Sequence, residues 1–335
     1  MELRFSFIIP VYNRPIEIEE LLESFSKLNG TFTYEIVIVE DGSSITSEAI
    51  IDKYKQQLDI AYYFKPNSGP GDSRNFGMRK AKGNYFIILD SDCLLPSNYL
   101  IEVSKHLKQS YVDCFGGPDK AHQSFTNLQK AIDFSMTSVI TTGGIRGNKI
   151  SLDKFEPRSF NMGLSKKAFE ATKGFGNIHP GEDPDLSIRL WGLGFKTTLI
   201  PEAYVYHKRR ISWSKFYKQV NKFGSVRPIL NTWHPQTKKV TYWFPSVFSL
   251  GVIIALLLAA FKIYLPIYLV LFYYCLVFIS ALLKTKHLII AFQALLALSI
   301  QFFGYGYGFL KSTILLSIKK DTPENIFPHL FFKTK

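Results

Sequence analysis

Short apolar runs alternate with segments of helical spacing from the first residues of the chain onwards. The runs 5–11, 34–39, 60–64 and 85–89 predict strands, and the segments 15–28, 47–58 and 72–81 between them predict helices. Repeated strand–helix–strand units bring each strand back in the same direction. The alternation therefore predicts a parallel, doubly wound α/β sheet. Further along, the sequence predicts a strand at 160–164, a loop at 179–185 and a helix at 186–193.

The run from Tyr85 to Leu89 is followed at once by two carboxylates, Asp90 and Asp92. Five apolar residues in a row indicate a strand buried on both faces. Ligands of open α/β sheets bind outside the carboxyl ends of the strands. Paired carboxylates there can hold a divalent cation, and the cation can hold a diphosphate. The motif alone leaves a second interpretation open, a solvated turn with Asp92 as a helix N-cap.

Polar residues follow other predicted strands at the same rim, namely Asn13-Arg14, Glu40-Asp41 and Glu182-Asp183. Because the carboxyl ends of parallel strands meet at one edge, we expect these loops to lie together. Tyr12 and Asp41 could sandwich a base and accept its N–H. Arg74 and Asn75, at a predicted helix start, suit a phosphate or a ribose.

Charge and hydropathy change along the chain. The protein has 335 residues and a net charge of +13, and no Asp or Glu occurs between Ala203 and Lys320, while Lys and Arg recur there. This asymmetry indicates an anionic partner, either a membrane surface or phosphate groups. We expect no nucleic acid partner, because the basic residues lead directly into membrane-type sequence.

The last third of the chain contains three long apolar runs. The runs 242–261 and 263–283 are long enough to span a bilayer, which takes roughly 20 residues, and Lys262 between them predicts a hairpin. Lys284 and Lys286 would then lie on the cytoplasmic side. The third run, 287–318, is too long for one simple span and contains three closely spaced glycines, so we expect it to span or to re-enter.

The segment from residue 212 to 223 places aromatic residues on one helical face and lysines on another. That pattern is typical of a helix lying in a membrane interface, although an ordinary surface helix would show it too. The first residues enter a strand without a signal peptide, which predicts a cytoplasmic first domain. Three scattered cysteines are too few for a disulfide framework or a zinc site.

Six motifs in this order resemble the family 2 inverting glycosyltransferases with the GT-A fold. The resemblance covers about residues 4 to 225. The motifs are Ile8-Ile9-Pro10-Val11-Tyr12-Asn13-Arg14, Val37-Ile38-Val39-Glu40-Asp41-Gly42-Ser43, Gly69-Pro70-Gly71-Asp72-Ser73-Arg74-Asn75-Phe76-Gly77, Asp90-Ser91-Asp92, Phe160-Asn161-Met162-Gly163 and Gly181-Glu182-Asp183-Pro184-Asp185-Leu186.

The resemblance implies a role for each matching residue. Asp183 would be the general base, and Glu182 its substrate-positioning partner. The donor nucleotide sugar would contact Pro10, Tyr12, Asn13, Arg14, Asp41, Arg74, Asn75, Asp90 and Ser91, with Tyr12 stacking on the base and Asp41 binding its edge. Mg²⁺ or Mn²⁺ would be held by Asp90 and Asp92, and His207 would help to bind the metal or the diphosphate, next to Lys208-Arg209-Arg210. His207 could instead be a core histidine at a strand end.

The chain departs from the family pattern in two places. Glu40 stands where an aspartate is common, a conservative change that should not block base binding. Processive members carry Gln-x-x-Arg-Trp, whereas this chain has Gln219-Val220-Asn221-Lys222-Phe223. This difference argues against a polymer synthase.

The expected organisation is therefore a GT-A catalytic domain over 1–211 and an interfacial helix with linker over 212–241. A membrane domain over 242–318 and a basic tail over 319–335 would follow. The expected function is metal-dependent, inverting sugar transfer to a glycan or lipid-linked acceptor at the cytoplasmic face of the inner membrane. Two alternatives remain open at this stage: an inactive membrane scaffold that keeps a nucleotide-sugar-binding fold, and a nucleotidyltransferase.

Overall fold

The computed structural model of the protein describes residues 2–120, 125–142, 155–207 and 212–332. These residues form two compact units. The first contains the described residues up to 120, those from 155 to 207, and 331–332. The second contains 125–142 and 212–330. The last two described residues thus belong to the same unit as the first.

The first unit is built on a seven-stranded sheet with the order β3-β2-β1-β4-β8-β6-β9, and β5, β10 and β7 form a smaller sheet. The strands are β1 Phe5–Val11, β2 Tyr34–Asp41, β3 Ile60–Lys65, β4 Tyr85–Leu89, β5 Cys93–Leu94, β6 Cys114–Gly116, β7 Asp119–Lys120, β8 Asn161–Ser165, β9 Thr197–Leu199 and β10 Val205–His207.

The central strands run parallel, as the alternation of elements predicts. In register, Ile8 of β1 lies between Val37 of β2 and Ile88 of β4, and every residue of β4 is buried. The residues that follow β1, β2 and β4 therefore emerge at the same edge. One strand departs from this direction: β8 is antiparallel to both β4 and β6.

Helices cover the sheet and carry two of the predicted motifs. Those of the first unit are α1 Pro15–Phe25, α2 Glu48–Tyr54, α3 Pro70–Lys80, α4 Tyr99–Gln109, α7 Lys166–Thr172 and α8 Glu182–Gly192, whereas α5 Asn127–Thr137 and α6 Val139–Thr142 belong to the second unit.

The loop predicted over 179–185 is wrong from Glu182 onwards, because α8 begins there. Gly181 precedes it with φ of 124°, a conformation that glycine adopts without penalty. Pro184 does not prevent this early start, since the first backbone N–H groups of a helix have no intrahelical acceptor. The acidic side chains of this turn are also favoured beside the positive end of the helix dipole.

The second unit is helical. It continues with α9 Trp213–Trp233, α10 Phe244–Ala260, α11 Leu265–Thr285, α12 Leu288–Ile318 and the short α13 Pro323–Ile326. The helices α10 (with the preceding 3₁₀ turn), α11 and α12 are each apolar and long enough to cross a membrane. α12 runs unbroken through its three glycines.

These glycines allow α9 to approach α12 closely. A Cβ on Gly304 would meet the side chain of Val220 at 2.7 Å, and one on Gly308 would meet the carbonyl oxygen of Asn221 at 2.3 Å. The Asn221 amide also donates to the Gly304 carbonyl at 3.0 Å. The glycines therefore serve helix packing and do not interrupt α12.

Candidate functional site

Each aspartate that follows β4 is paired with an arginine. Nη1 of Arg14 donates to Oδ2 of Asp92, and Nη2 of Arg74 donates to Oδ1 of Asp90 at 2.8 Å. Arg14 follows β1 and Asp92 follows β4, so the parallel register of these strands brings together residues that are distant in sequence. The predicted convergence of charged residues at this edge of the sheet is observed for Arg14, Asp90 and Asp92.

Arg74 connects this acidic pair to the first turn of α8. Its Nη1 lies 3.3 Å from Oε1 of Glu182, and its guanidinium lies over the ring of Phe175. The arginine side chain is only 4% exposed, and its Nε is buried with no hydrogen-bond partner within the described part of the chain. Arg74 therefore places a fixed positive charge between Asp90 and Glu182.

Glu182 is buried and ionised. Burial alone would raise its pKa, but the hydrogen bond with Nδ1 of His179 at 2.9 Å and the charge of Arg74 outweigh that effect and lower the pKa to about 2. This carboxylate therefore stays negative at neutral pH.

Asp183 has the opposite electrostatic environment. Burial, and then the neighbouring charge of Glu182, raise the pKa of Asp183 to about 6. Its Oδ2 accepts from the backbone N–H of Ser159 at 3.1 Å, while its Oδ1 is buried without a hydrogen-bond partner among the described residues. Neighbouring carboxylates whose pKa values are driven apart are typical of acid–base sites.

Asp41 lies in a second group of contacts. Its Oδ1 accepts from Nζ of Lys65 at 2.6 Å and from the N–H of Ser68 at 2.9 Å. Its Oδ2 accepts from the N–H of Gly69 at 2.9 Å. In this structure Asp41 thus holds the loop that leads from β3 into α3.

Two of the predicted donor-binding residues make structural contacts. The Asn13 side chain accepts from the N–H groups of Ser44 and Ile45, at 2.9 and 3.0 Å, and so joins the loops after β1 and β2. The Asn75 amide both donates to and accepts from the backbone of Phe175, at 2.8 Å in each case. Both amides therefore shape the site by fixing its loops.

The other predicted residues take varied positions. Tyr12 is exposed, and Pro10 lies in β1 beside Val39. Ser91 is buried between the two aspartates. The backbone of His207 pairs with Cys93, the residue after Asp92. The His207 side chain and the sequence 208–210 lie outside the described parts of the structure.

Sequence reasoning missed three contributors to the site: His179, Lys65 and Phe332. His179 stands three residues before Glu182, and Lys65 ends the strand next to β2, so spacing and strand order could have indicated both. Nothing in the local sequence indicates Phe332. Its N–H donates to the carbonyl of Asn177 at 3.0 Å, its neighbour Phe331 pairs with Ile178, and its ring lies against Gly69 and His179.

Asp90 and Asp92 fit the contribution that a protein makes to a phosphate-bound metal. Magnesium is commonly held by one or two carboxylates together with substrate phosphates, and carboxylate oxygen also suits manganese. The described side chains contain no cluster of three His, Cys, Asp or Glu residues suited to a metal. The substrate would therefore have to supply further ligands, and the metal would compete with Arg14 and Arg74 for these carboxylates.

A mostly parallel sheet with paired carboxylates after β4 and an acidic turn at α8 defines a GT-A fold. Consistent with this, the structure aligns with that of the mannosyltransferase PcManGT from Pyrobaculum calidifontis in complex with GDP-Man and Mn²⁺. The TM-score is 0.64 at 16% identity, over 95% of this chain and 89% of that one. Residues 6–172 match Glycosyl transferase family 2. The chain belongs to this family.

Curated relatives match a shorter stretch. An uncharacterized glycosyltransferase of Rickettsia bellii is 38% identical over 100 residues, which are 30% of this chain and 14% of that protein. The poly(ribitol-phosphate) beta-N-acetylglucosaminyltransferase TarS of Staphylococcus aureus is 32% identical over 114 residues, 33% of this chain and 20% of TarS. The matches therefore span a fifth or less of these relatives' length.

Proposed function

We propose that the protein transfers a sugar from a nucleotide-sugar donor to an acceptor hydroxyl, with inversion at the anomeric carbon and with Mg²⁺ or Mn²⁺ as cofactor. The observation that carries this proposal is the buried Oδ1 of Asp183, which has no hydrogen-bond partner among the described residues. It belongs to a carboxyl with a raised pKa, and the adjacent Glu182 is linked through Arg74 to Asp90. The proposed general base thus lies in the same charge network as the proposed diphosphate-binding aspartates.

Each charged residue has a distinct part in this reaction. Asp183 takes the proton of the acceptor hydroxyl, and its raised pKa makes it a stronger base than an exposed aspartate. Glu182 stays ionised, and its negative charge keeps the pKa of Asp183 raised. Arg14 and Arg74 place positive charge where the leaving diphosphate develops negative charge. The metal, held by Asp90 and Asp92, would neutralise part of that charge.

Incubation of the purified chain with a panel of nucleotide sugars tests the reaction class. We expect one donor to yield free nucleoside diphosphate, faster when an acceptor is present. Release of pyrophosphate would identify a nucleotidyltransferase instead. Binding of a donor without any turnover, across acceptors extracted from the native membrane, would identify an inactive scaffold.

The acceptor is proposed to be a lipid-linked or cell-surface glycan precursor. The basic, acid-free sequence from Ala203 to Lys320 and the three apolar helices support a site close to a membrane. The name of the relative TarS describes transfer to a phosphate-containing polymer. An acceptor of similar chemistry is compatible with the basic residues of this chain.

We also propose that the chain crosses the cytoplasmic membrane twice, with the catalytic unit on the cytoplasmic side. Phe331 pairs with Ile178, so both residues lie on the same side of any membrane that the chain crosses. The number of crossings between residues 207 and 331 must then be even. We assign the two crossings to α10 and α11 and expect α12, 31 residues long, to re-enter or to lie in the interface.

Cysteine labelling in intact cells tests this topology. In a variant with Cys275 replaced by serine, we expect Lys262→Cys to react with an impermeant maleimide from outside. Lys286→Cys and Lys320→Cys should react only after the membrane is opened. External labelling of Lys320→Cys would show that α12 spans the bilayer and would contradict the pairing of residue 331 with the catalytic unit.

A further inference from the structure

One arginine of the second unit is buried without a counter-charge among the described residues. Arg227 lies in α9 and is 9% exposed. Its Nη1 donates to the hydroxyl of Tyr242 at 3.0 Å, and its guanidinium carbon lies 4.6 Å from the centre of the Tyr242 ring. Its Nε and Nη2 are buried and have no hydrogen-bond partner anywhere in the described residues.

This arrangement differs from that of Arg74, the other buried arginine of the described residues, which lies between two carboxylates. A guanidinium cannot shed its proton in a protein, and a buried charge is costly unless it is paired and hydrogen-bonded. The sequence of the second unit contains three acidic residues, Asp133, Asp321 and Glu324. Within the described residues, Nε and Nη2 of Arg227 are bonded to no carboxylate. An anion from outside the chain could therefore supply the counter-charge that the described residues do not.

The neighbour of Arg227 indicates where that anion would be found. Tyr242 stands at the beginning of the first apolar helix, whose candidate span is Val240–Ala260. Trp243 follows it, and the exposed Lys238 and Lys239 precede it. Tyrosine and tryptophan are enriched at the level of the lipid headgroups, and basic residues beside a span attract anionic lipids.

A second polar group lies near Arg227 on the same helix. Asn231 is four residues further along α9, so the two side chains share a helical face. Its Oδ1 is likewise buried without a partner in the described part of the protein. The amide oxygen of Asn231 is an acceptor, so it would take a hydroxyl of a lipid headgroup and not a phosphate oxygen. The donors for phosphate are Nε and Nη2 of Arg227, since guanidinium binds phosphate through two parallel hydrogen bonds.

We infer that Arg227, with Asn231 beside it, forms a binding site for the headgroup of a membrane lipid. Arg227 binds the lipid phosphate, and Tyr242 covers the site when no lipid is bound. The lipid phosphate replaces the tyrosine hydroxyl as the partner of Arg227. The inference depends on the proposed membrane location of the second unit, but not on the proposed sugar transfer. Lipid binding and nucleoside diphosphate release can therefore fail separately.

The test is calorimetric titration of the full chain, purified in a phosphate-free detergent, with dioctanoyl phosphatidylglycerol. The wild type should bind this lipid and should not bind dioctanoylglycerol, which has the same chains without phosphate. Arg227→Gln should weaken binding roughly tenfold or more, as expected for the loss of a charged hydrogen-bond donor. Lys239→Gln, a nearby exposed cation, is the matched control and should retain most of the affinity.

Two further variants keep the test decisive if Arg227→Gln does not fold. Arg227→Lys keeps the charge but loses the fork, so it should bind with intermediate affinity. Tyr242→Phe removes the competing hydroxyl and should bind at least as tightly as the wild type. Equal binding of the two lipids by the wild type, or unchanged affinity in both Arg227 variants, would overturn the inference.

Inorganic phosphate is titrated in parallel. Binding as tight as that of the lipid would show that the site takes free phosphate and would overturn the assignment to a lipid.

Discussion

Replacing Asp183 with asparagine should lower turnover by roughly 100-fold or more, the usual contribution of a positioned general base. Donor binding should change little, because the carboxylate of Asp183 accepts a hydrogen bond from the backbone of Ser159 and does not hold an arginine of the diphosphate site within the described residues. Steady-state kinetics and calorimetry with the nucleoside diphosphate measure the two quantities separately.

Asp185→Asn is the matched control. This aspartate lies in the same turn of α8, but its carboxylate is held by Arg189 at 2.7 Å and 3.0 Å. The control should therefore affect stability more than chemistry. Turnover close to that of the wild type in Asp183→Asn would assign the base to another residue.

The same base predicts how activity depends on pH. Asp183 acts only when it is deprotonated, so kcat/KM should rise with pH and level off above its pKa of about 6. Glu182→Gln removes a negative charge that disfavours ionisation of Asp183, so the rising limb should move to lower pH. If the rising limb of kcat/KM stays at the same pH in this variant, the pH dependence does not arise from Asp183.

Asp92→Asn and Asp90→Asn should each reduce transfer by at least about 100-fold, since metal stabilisation of a developing charge contributes several kcal/mol. EDTA should have the same effect on the wild type, and added Mg²⁺ or Mn²⁺ should restore activity. Binding of Mn²⁺ in the presence of nucleoside diphosphate, followed by electron paramagnetic resonance, gives a readout that does not depend on turnover.

The arginine partners provide the control for these variants. Arg14→Gln removes the competitor of a metal at Asp92, so Mn²⁺ should bind at least as tightly as in the wild type, even if turnover falls. Full activity of the wild type in EDTA would show that the reaction does not require a metal. Mn²⁺ binding that survives in both aspartate variants would move the metal site elsewhere.

Much of the catalytic unit could be predicted from the sequence because its signals are local. An apolar run such as Tyr85–Leu89 indicates a buried strand by itself, and the parallel arrangement of such strands brings Arg14, Asp90 and Asp92 to one edge. The direction of β8 could not be predicted in this way, because an apolar strand contains no signal of the direction in which it enters a sheet.

Other features of the site depend on contacts between distant residues. The sequence presents Asp41 and Asn75 as groups ready for a ligand. In the folded chain, Asp41 is engaged by Lys65 and Asn75 by Phe175. No periodic pattern of residues in the sequence indicates hydrogen bonds of this kind. The two guanidinium nitrogens of Arg227 that have no partner among the described residues are also revealed only by the folded structure.

The pairing of Phe331 with Ile178 has a consequence for biosynthesis. The ribosome makes the sheet and α8 first, the apolar helices next, and residues 331 and 332 only afterwards. The catalytic unit therefore lacks residues 331 and 332, which pair with its own backbone, until the apolar helices have left the ribosome. Full activity of a newly made chain should thus appear only after those helices have been synthesised. A recombinant fragment that ends before them would omit a segment that packs beside Gly69 and His179.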